Sequence, residues 1–239
     1  MTKTAGLEAC GRRRGGGFAK SRDMLPIKEI KRVDSPAVTP QALTWHGGEL
    51  WMGSRDLRRI YRLEAGTFAV IEEIDAPGIP WAAVSAGESL WFTLGEGADD
   101  DRYLRQYEKG KGFSDKERIA CPDFTGSYLS YDGEALYLSQ WYKHRILRLD
   151  SEGQIVREIA IDAEISGHAF VDGSIYVLRG TEQDGGDWRL AKLDPREAVP
   201  QVKELGCVPF QCRSLAYDGE HLWTNYRDGS EIVCFEVAR

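Results

Sequence analysis

SYDGEALYLSQWYKHRILRL, residues 130–149, runs through a glycine-bearing turn, an apolar segment, a polar loop and a second, alternating segment. The same order returns as WHGGELWMGSRDLRRIYRL at 45–63, SAGESLWFTL with YLRQY at 85–107, VDGSIYVLR with RLAKL at 171–193, and YDGEHLWTNYRDGSEIVCF at 217–235. Measured between the matching aliphatic residues Leu50, Leu90, Leu136, Ile175 and Leu222, the spacings are 40, 46, 39 and 47 residues.

That period is the length of a four-stranded propeller blade. In each copy strand a leads into the glycine turn, and strand b is the apolar run (LWMG, LWFT, LYLS, IYVL, LWTN) of a strand buried on both faces. Strand c alternates, as in RIYRL and RILRL, and strand d appears as FAVIEEI and QIVREIAI, each closed by a turn. The fifth copy ends after its strand c. IKRVDSPAVTPQAL at 30–43 matches EIDAPGIPWAAV at 73–84 in its paired prolines, so the segment around Ile27 to Val33 is expected to complete the last blade and close the ring. The expected fold is thus all-β, a five-bladed propeller of four-stranded antiparallel blades. A two-sheet sandwich would not require five copies of one pattern, and an α/β barrel would need amphipathic helices that are not there.

The remaining composition narrows the class. A chain of 239 residues with 42% apolar content can bury one ordinary core, and a net charge of -7 argues against a nucleic-acid surface. No apolar run is long enough for a transmembrane helix. Residues 1–23 have positive charge without an apolar centre, so they read as a disordered tail, or an over-long start before Met24, ahead of a single domain at 24–239. The five cysteines, Cys10, Cys121, Cys207, Cys212 and Cys234, then read as free thiols of a cytoplasmic protein. The CVPFQC spacing is not that of a zinc knuckle; no metal and no cofactor is expected.

In a propeller the d-to-a and b-to-c loops share one rim around the central channel, and that rim is where a ligand would sit. Strand a brings Gln41, Trp81, Tyr128, His168 and Arg213 to it; strand b exits bring Arg55, Glu96, Trp141, Arg179, Tyr226 and Arg227. Trp51, Trp91, Tyr137, Tyr176 and Trp223 recur at one register and are expected to wedge between blades. The non-recurring rings Trp81, Tyr128, Trp141 and Tyr226, set among Arg55, Arg179, Arg213 and Arg227, suit a small anionic, peptide or sugar-like ligand. Two acidic insertions, GEGADDDR and TEQDGGDWR, lengthen alternate repeats on the same rim, where they could form lids; Asp99 to Asp101 is expected to be a solvated loop tip. His168 is the histidine placed to face the channel, and with Glu96 it would form the acid–base pair of an enzyme.

PQALTWHGGELWMGS, LRRIYRLEAG, GSYLSYDGEALYLS and AFVDGSIYV resemble stretches of the five-bladed glutaminyl cyclases, or glutamine cyclotransferases, and the likeness extends over most of 24–239. The resemblance implies a five-bladed ring and conversion of an N-terminal glutamine to pyroglutamate. That family's Gln-Gly-Leu opening is kept in altered form as Gln41, Ala42 and Leu43. Met52 stands where its carboxylate is expected, and Ser166, Gly167, His168 and Ala169 replace its Asn-Glu-Leu-Glu strand. A thioether cannot move a proton, so the resemblance implies the fold and leaves the catalytic motif unmatched. ESLWFT also looks like a streptogramin lyase blade, a family that needs seven blades. The expected function is a ligand-binding propeller, the alternative an enzyme of the cyclase or lyase type; no sequence feature specifies a protein partner.

Overall fold

A computed structural model describes residues 24–182 and 186–237, the side chains of 115–117 excepted. The first strand, β1 (Glu29–Asp34), stands ahead of four complete sheets. Blade 1 is β2 (Pro40–His46), β3 (Glu49–Ser54), β4 (Arg59–Leu63) and β5 (Val70–Asp75). Blade 2 is β6 (Ile79–Ala86), β7 (Ser89–Glu96), β8 (Asp101–Glu108) and β9 (Gly112–Ala120). Blade 3 is β10 (Leu129–Tyr131), β11 (Leu136–Gln140), β12 (Arg145–Leu149) and β13 (Ile155–Ala160). Blade 4 is β14 (Glu164–Val171), β15 (Ser174–Thr181), β16 (Asp187–Leu193) and β17 (Lys203–Val208). Blade 5 is β18 (Cys212–Tyr217), β19 (His221–Tyr226) and β20 (Glu231–Glu236), with β1 as its fourth strand.

The ring closes as the repeat register requires. β1 pairs antiparallel with β20, from Glu29 opposite Phe235 to Asp34 opposite Glu231. The inner strands touch in a full circle, β2 to β6 to β10 to β14 to β18 and back to β2. Each blade-to-blade seam holds one apolar cluster. Trp51 and Phe92 fill the first, Leu138 and Leu147 the second, Ile146 and Val177 the third, Trp188 and Phe235 the fourth, and Met52 and Trp223 the fifth. The recurring aromatics are interior residues: Trp51, Tyr137, Tyr176 and Trp223 are buried, and Trp91 is partly buried.

One boundary differs from expectation. Ile27 lies outside β1 and along blade 4 instead: Pro26 bridges Cys207, Ile27 N donates to Cys207 O at 2.9 Å, and Cys207 N donates to Leu25 O at 3.0 Å. Proline fixes the local backbone and has no N–H for a central ladder, which suits this edge position. The chain then crosses to blade 5, where Glu236 N donates to Lys28 O at 3.0 Å. The segment therefore clasps β17, the outer strand of blade 4, to β20 of blade 5. The tail expected over 1–23, with Cys10, lies outside the described residues; Cys121, Cys207, Cys212 and Cys234 are all buried. No helix among the described residues is long and apolar enough to cross a membrane.

Candidate functional site

Four of the five inner strands carry a β-bulge near the entry to the rim. The register slips between Pro40 and Ala42, Pro80 and Ala82, Ile165 and Gly167, and Arg213 and Ala216. A bulge leaves a residue out of the ladder and re-aims its side chain, and here the first two such residues are Gln41 and Trp81. The repeat register explains a second set. Five positions after the aligning aliphatic residue stand Arg55, Trp141 and Arg227 in blades 1, 3 and 5, but Gly95 and Gly180 in blades 2 and 4. Where the residue is large, the strand has ended in a short turn; where it is glycine, the hairpin continues.

Gln41 links these two sets. It is buried; its Nε2 donates to Trp81 O at 3.0 Å and to the Tyr128 hydroxyl at 3.3 Å, and its Oε1 accepts from Arg227 Nη2. Tyr128 packs 6.3 Å from Trp141, and the Arg213 guanidinium stacks over Trp141 at 5.0 Å and Trp188 at 5.7 Å. Arg213 donates through Nη1 to Cys212 O at 2.8 Å and through Nη2 to Glu182. Arg55 stands 6.0 Å from the Trp81 ring. Gln41, Arg55, Trp81, Tyr128, Trp141, Arg213 and Arg227, seven of the predicted ligand-binding residues, are thus joined into one contiguous site.

Its electrostatics are one-sided. Burial first, then the Arg213 and Arg55 charges, bring the Arg227 guanidinium down to about 10, still cationic at neutral pH. Among the described residues Arg227 makes no ion pair, and its buried Nε has no partner. Trp141 Nε1 is likewise unpaired. Burial raises the Tyr128 phenol, which therefore keeps its proton. The site offers N–H and O–H donors, and among the described residues three carboxylates reach it: Glu182 on Arg213, with its side chain 45% exposed, Asp56 on Arg55 and Asp100 on the Trp81 indole.

The other expected residues lie elsewhere. Arg179 faces the outer strands of its own blade, 3.8 Å from Glu204, beside a cavity of about 20 Å³ shared with Arg189 and Asp187. That is room for about one water. Tyr226 stacks 5.1 Å from Phe210 and lies under Arg32. Glu96 is held by Arg105 at 2.8 Å and Arg118 at 3.0 Å. His168 has no exposed surface; Nε2 donates to Tyr128 O at 3.2 Å, so Nδ1 is the acceptor for the Ser130 hydroxyl at 2.7 Å. Burial lowers its imidazole to about 4, leaving it neutral. The structure does not bring His168 and Glu96 together: each is spent on partners in its own surroundings.

Asp100 corrects another expectation. It is no solvated tip: its carboxylate accepts from Trp81 Nε1 at 3.0 Å and from Arg102 Nη2 at 2.7 Å, while Arg102 stacks on the Trp81 ring at 3.9 Å. A Cβ at Gly95 would lie 1.5 Å from the Asp100 Oδ1, so the glycine is what admits the carboxylate. Asp100, Arg102 and Glu182 are the site residues that sequence reasoning missed; the alternation of glycine with large residues at one register was their signal. No cluster of three or more His, Cys, Asp or Glu able to hold a metal occurs among the described residues.

No protein-family model matches the chain, and no curated protein sequence does. Solved structures do. The glutaminyl cyclase of Myxococcus xanthus superposes with a TM-score of 0.65 at 13% identity, over 89% of this chain and 99% of that one. The PQQ-bound aldose sugar dehydrogenase of Streptomyces coelicolor gives 0.59 at 14%, over 88% and 97%. Regucalcin, a calcium-binding protein of Agrobacterium tumefaciens, gives 0.57 at 13%, over 90% and 96%. At such identities the likeness is one of fold: the chain is a five-bladed β-propeller that shares its architecture with the glutaminyl cyclases.

Proposed function

We propose that the chain is a binding propeller whose rim takes a small oxyanionic ligand, a carboxylate or phosphate carried on a small molecule or a peptide. Its structural neighbours are named for a cyclase, a PQQ-bound dehydrogenase and a calcium-binding protein, three unlike chemistries, so the choice rests on the site rather than the fold. The observation that carries it is Arg227: a partly buried guanidinium, crowded by Arg213 and Arg55 and without an ion pair among the described residues, is stabilised by an incoming anion. A donor-rich mouth also disfavours a calcium ion, which needs oxygen ligands. The enzymatic alternative, acid–base chemistry by His168 and Glu96, has no shared pocket to act in.

Titration calorimetry with inorganic phosphate and with acetate tests the reading. Saturable binding by the wild type, weakened about thirtyfold in Arg227→Gln, is expected. Absence of heat with both anions, or binding unchanged in Arg227→Gln, overturns it.

A further inference from the structure

Beside the anion site lies an open cavity of about 400 Å³ lined by Arg55, Asp56, Arg58, Ile79 and Trp81. Its size is that of a small-molecule site. Three observations describe what it would take. Trp81 is not a mobile surface ring: Asp100 fixes its indole N–H and Arg102 is stacked on it at 3.9 Å, so it is a platform set in place before any ligand arrives. Arg55 and Arg58 add guanidinium groups, which are planar and stack on aromatic faces. Asp56, the carboxylate among the lining residues, is tied to Arg55 Nε at 2.9 Å, so the cavity's free polar groups are again donors and cations.

The cavity and the anion site are one side chain apart. Gln41 touches Trp81 O with one end of its amide and Arg227 with the other, and Arg55 both lines the cavity and acts on the Arg227 charge. From this juxtaposition we infer that the groove between blades 1 and 2 is a second subsite for a flat aromatic body, and that the ligand is an aromatic ring bearing an oxyanion, an aryl phosphate or aryl carboxylate. This rests on the anion-binding reading of Arg227 and adds to it the class of group attached.

Calorimetry with inorganic phosphate, phenyl phosphate and cyclohexyl phosphate as probes separates the two claims. Wild type is expected to bind phenyl phosphate about tenfold more tightly than either of the others, the size of a stacking contact. Trp81→Ala should collapse that ratio towards one, and Trp81→Phe, which keeps a ring, should restore most of it. Equal affinity for phenyl and inorganic phosphate, equal affinity for phenyl and cyclohexyl phosphate, or a preference that survives Trp81→Ala overturns the aromatic subsite while leaving the anion site standing. Failure to bind any of the three overturns the anion site, and the subsite with it.

Discussion

Blades 1, 3 and 5 part from blades 2 and 4 at the residue that follows strand b. In the odd blades strand b ends in a short turn whose first residue is Arg55, Trp141 or Arg227. In the even blades the equivalent residue is Gly95 or Gly180, and the b–c hairpin runs on, pairing as far as Glu96 with Asp101 and Thr181 with Asp187. The odd blades supply cations and a ring; the longer hairpins of the even blades supply the carboxylates of Asp100 and Glu182 that hold those groups or answer their charge. The alternation after strand b thus adds to the asymmetry that the strand a residues Gln41, Trp81, Tyr128 and Arg213 already give the rim.

The comparison is broken most sharply at the glycines. A Cβ at Gly180 would sit 1.9 Å from the carbonyl oxygen of Asp187, a backbone atom that cannot swing aside. Gly180→Ala is expected to lower the urea-unfolding free energy by about 3 kcal/mol, against less than about 0.5 kcal/mol for Arg55→Ala at the matching odd-blade position.

Charge state gives the next contrast. The Arg227 guanidinium is cationic at neutral pH, whereas His168 of blade 4, bonded to Tyr128 O and Ser130, is neutral down to about pH 4. An unfolded chain takes up that proton as the pH falls through 6.5, so the stability present above 6.5 is lost progressively as the pH falls to about 4. Urea titrations should show wild type losing about 3 kcal/mol more than His168→Gln between pH 7 and pH 4.

Smaller effects sharpen the ligand side. Arg227→Gln should weaken phosphate binding about thirtyfold, and wild-type affinity for acetate, which stays ionised throughout, should hold through neutral pH and fall only towards pH 10, the value to which burial brings the Arg227 guanidinium down. Glu182→Gln should strengthen phosphate binding by about threefold, because the half-exposed carboxylate on Arg213 competes for the same charge. Calorimetry across pH reads both.

The architecture was legible because a blade is a local pattern: glycine turn, apolar strand and alternating strand recur visibly, and the paired prolines marked where the ring joins. The site was legible in part. Rim position follows from strand order, so the clustering of Gln41, Trp81 and Arg227 was foreseeable; the direction a side chain takes at a bulge or after the last ladder pair does not follow, so the pairing of Arg179 with Glu204, Tyr226 with Phe210 and Glu96 with Arg105 was not. Asp100 and Glu182 escaped because an acidic loop reads as solvated unless the glycine that lets it fold back is noticed.

The clasp at Met24 to Lys28 carries a consequence for biosynthesis. The segment and β1 leave the ribosome before any blade exists, while β20, their partner in blade 5, is among the last described strands to emerge. A nascent chain must therefore hold its leading strand unpaired, with Lys28, Glu29, Lys31 and Arg32 keeping it in water, until the rest of the ring has been made.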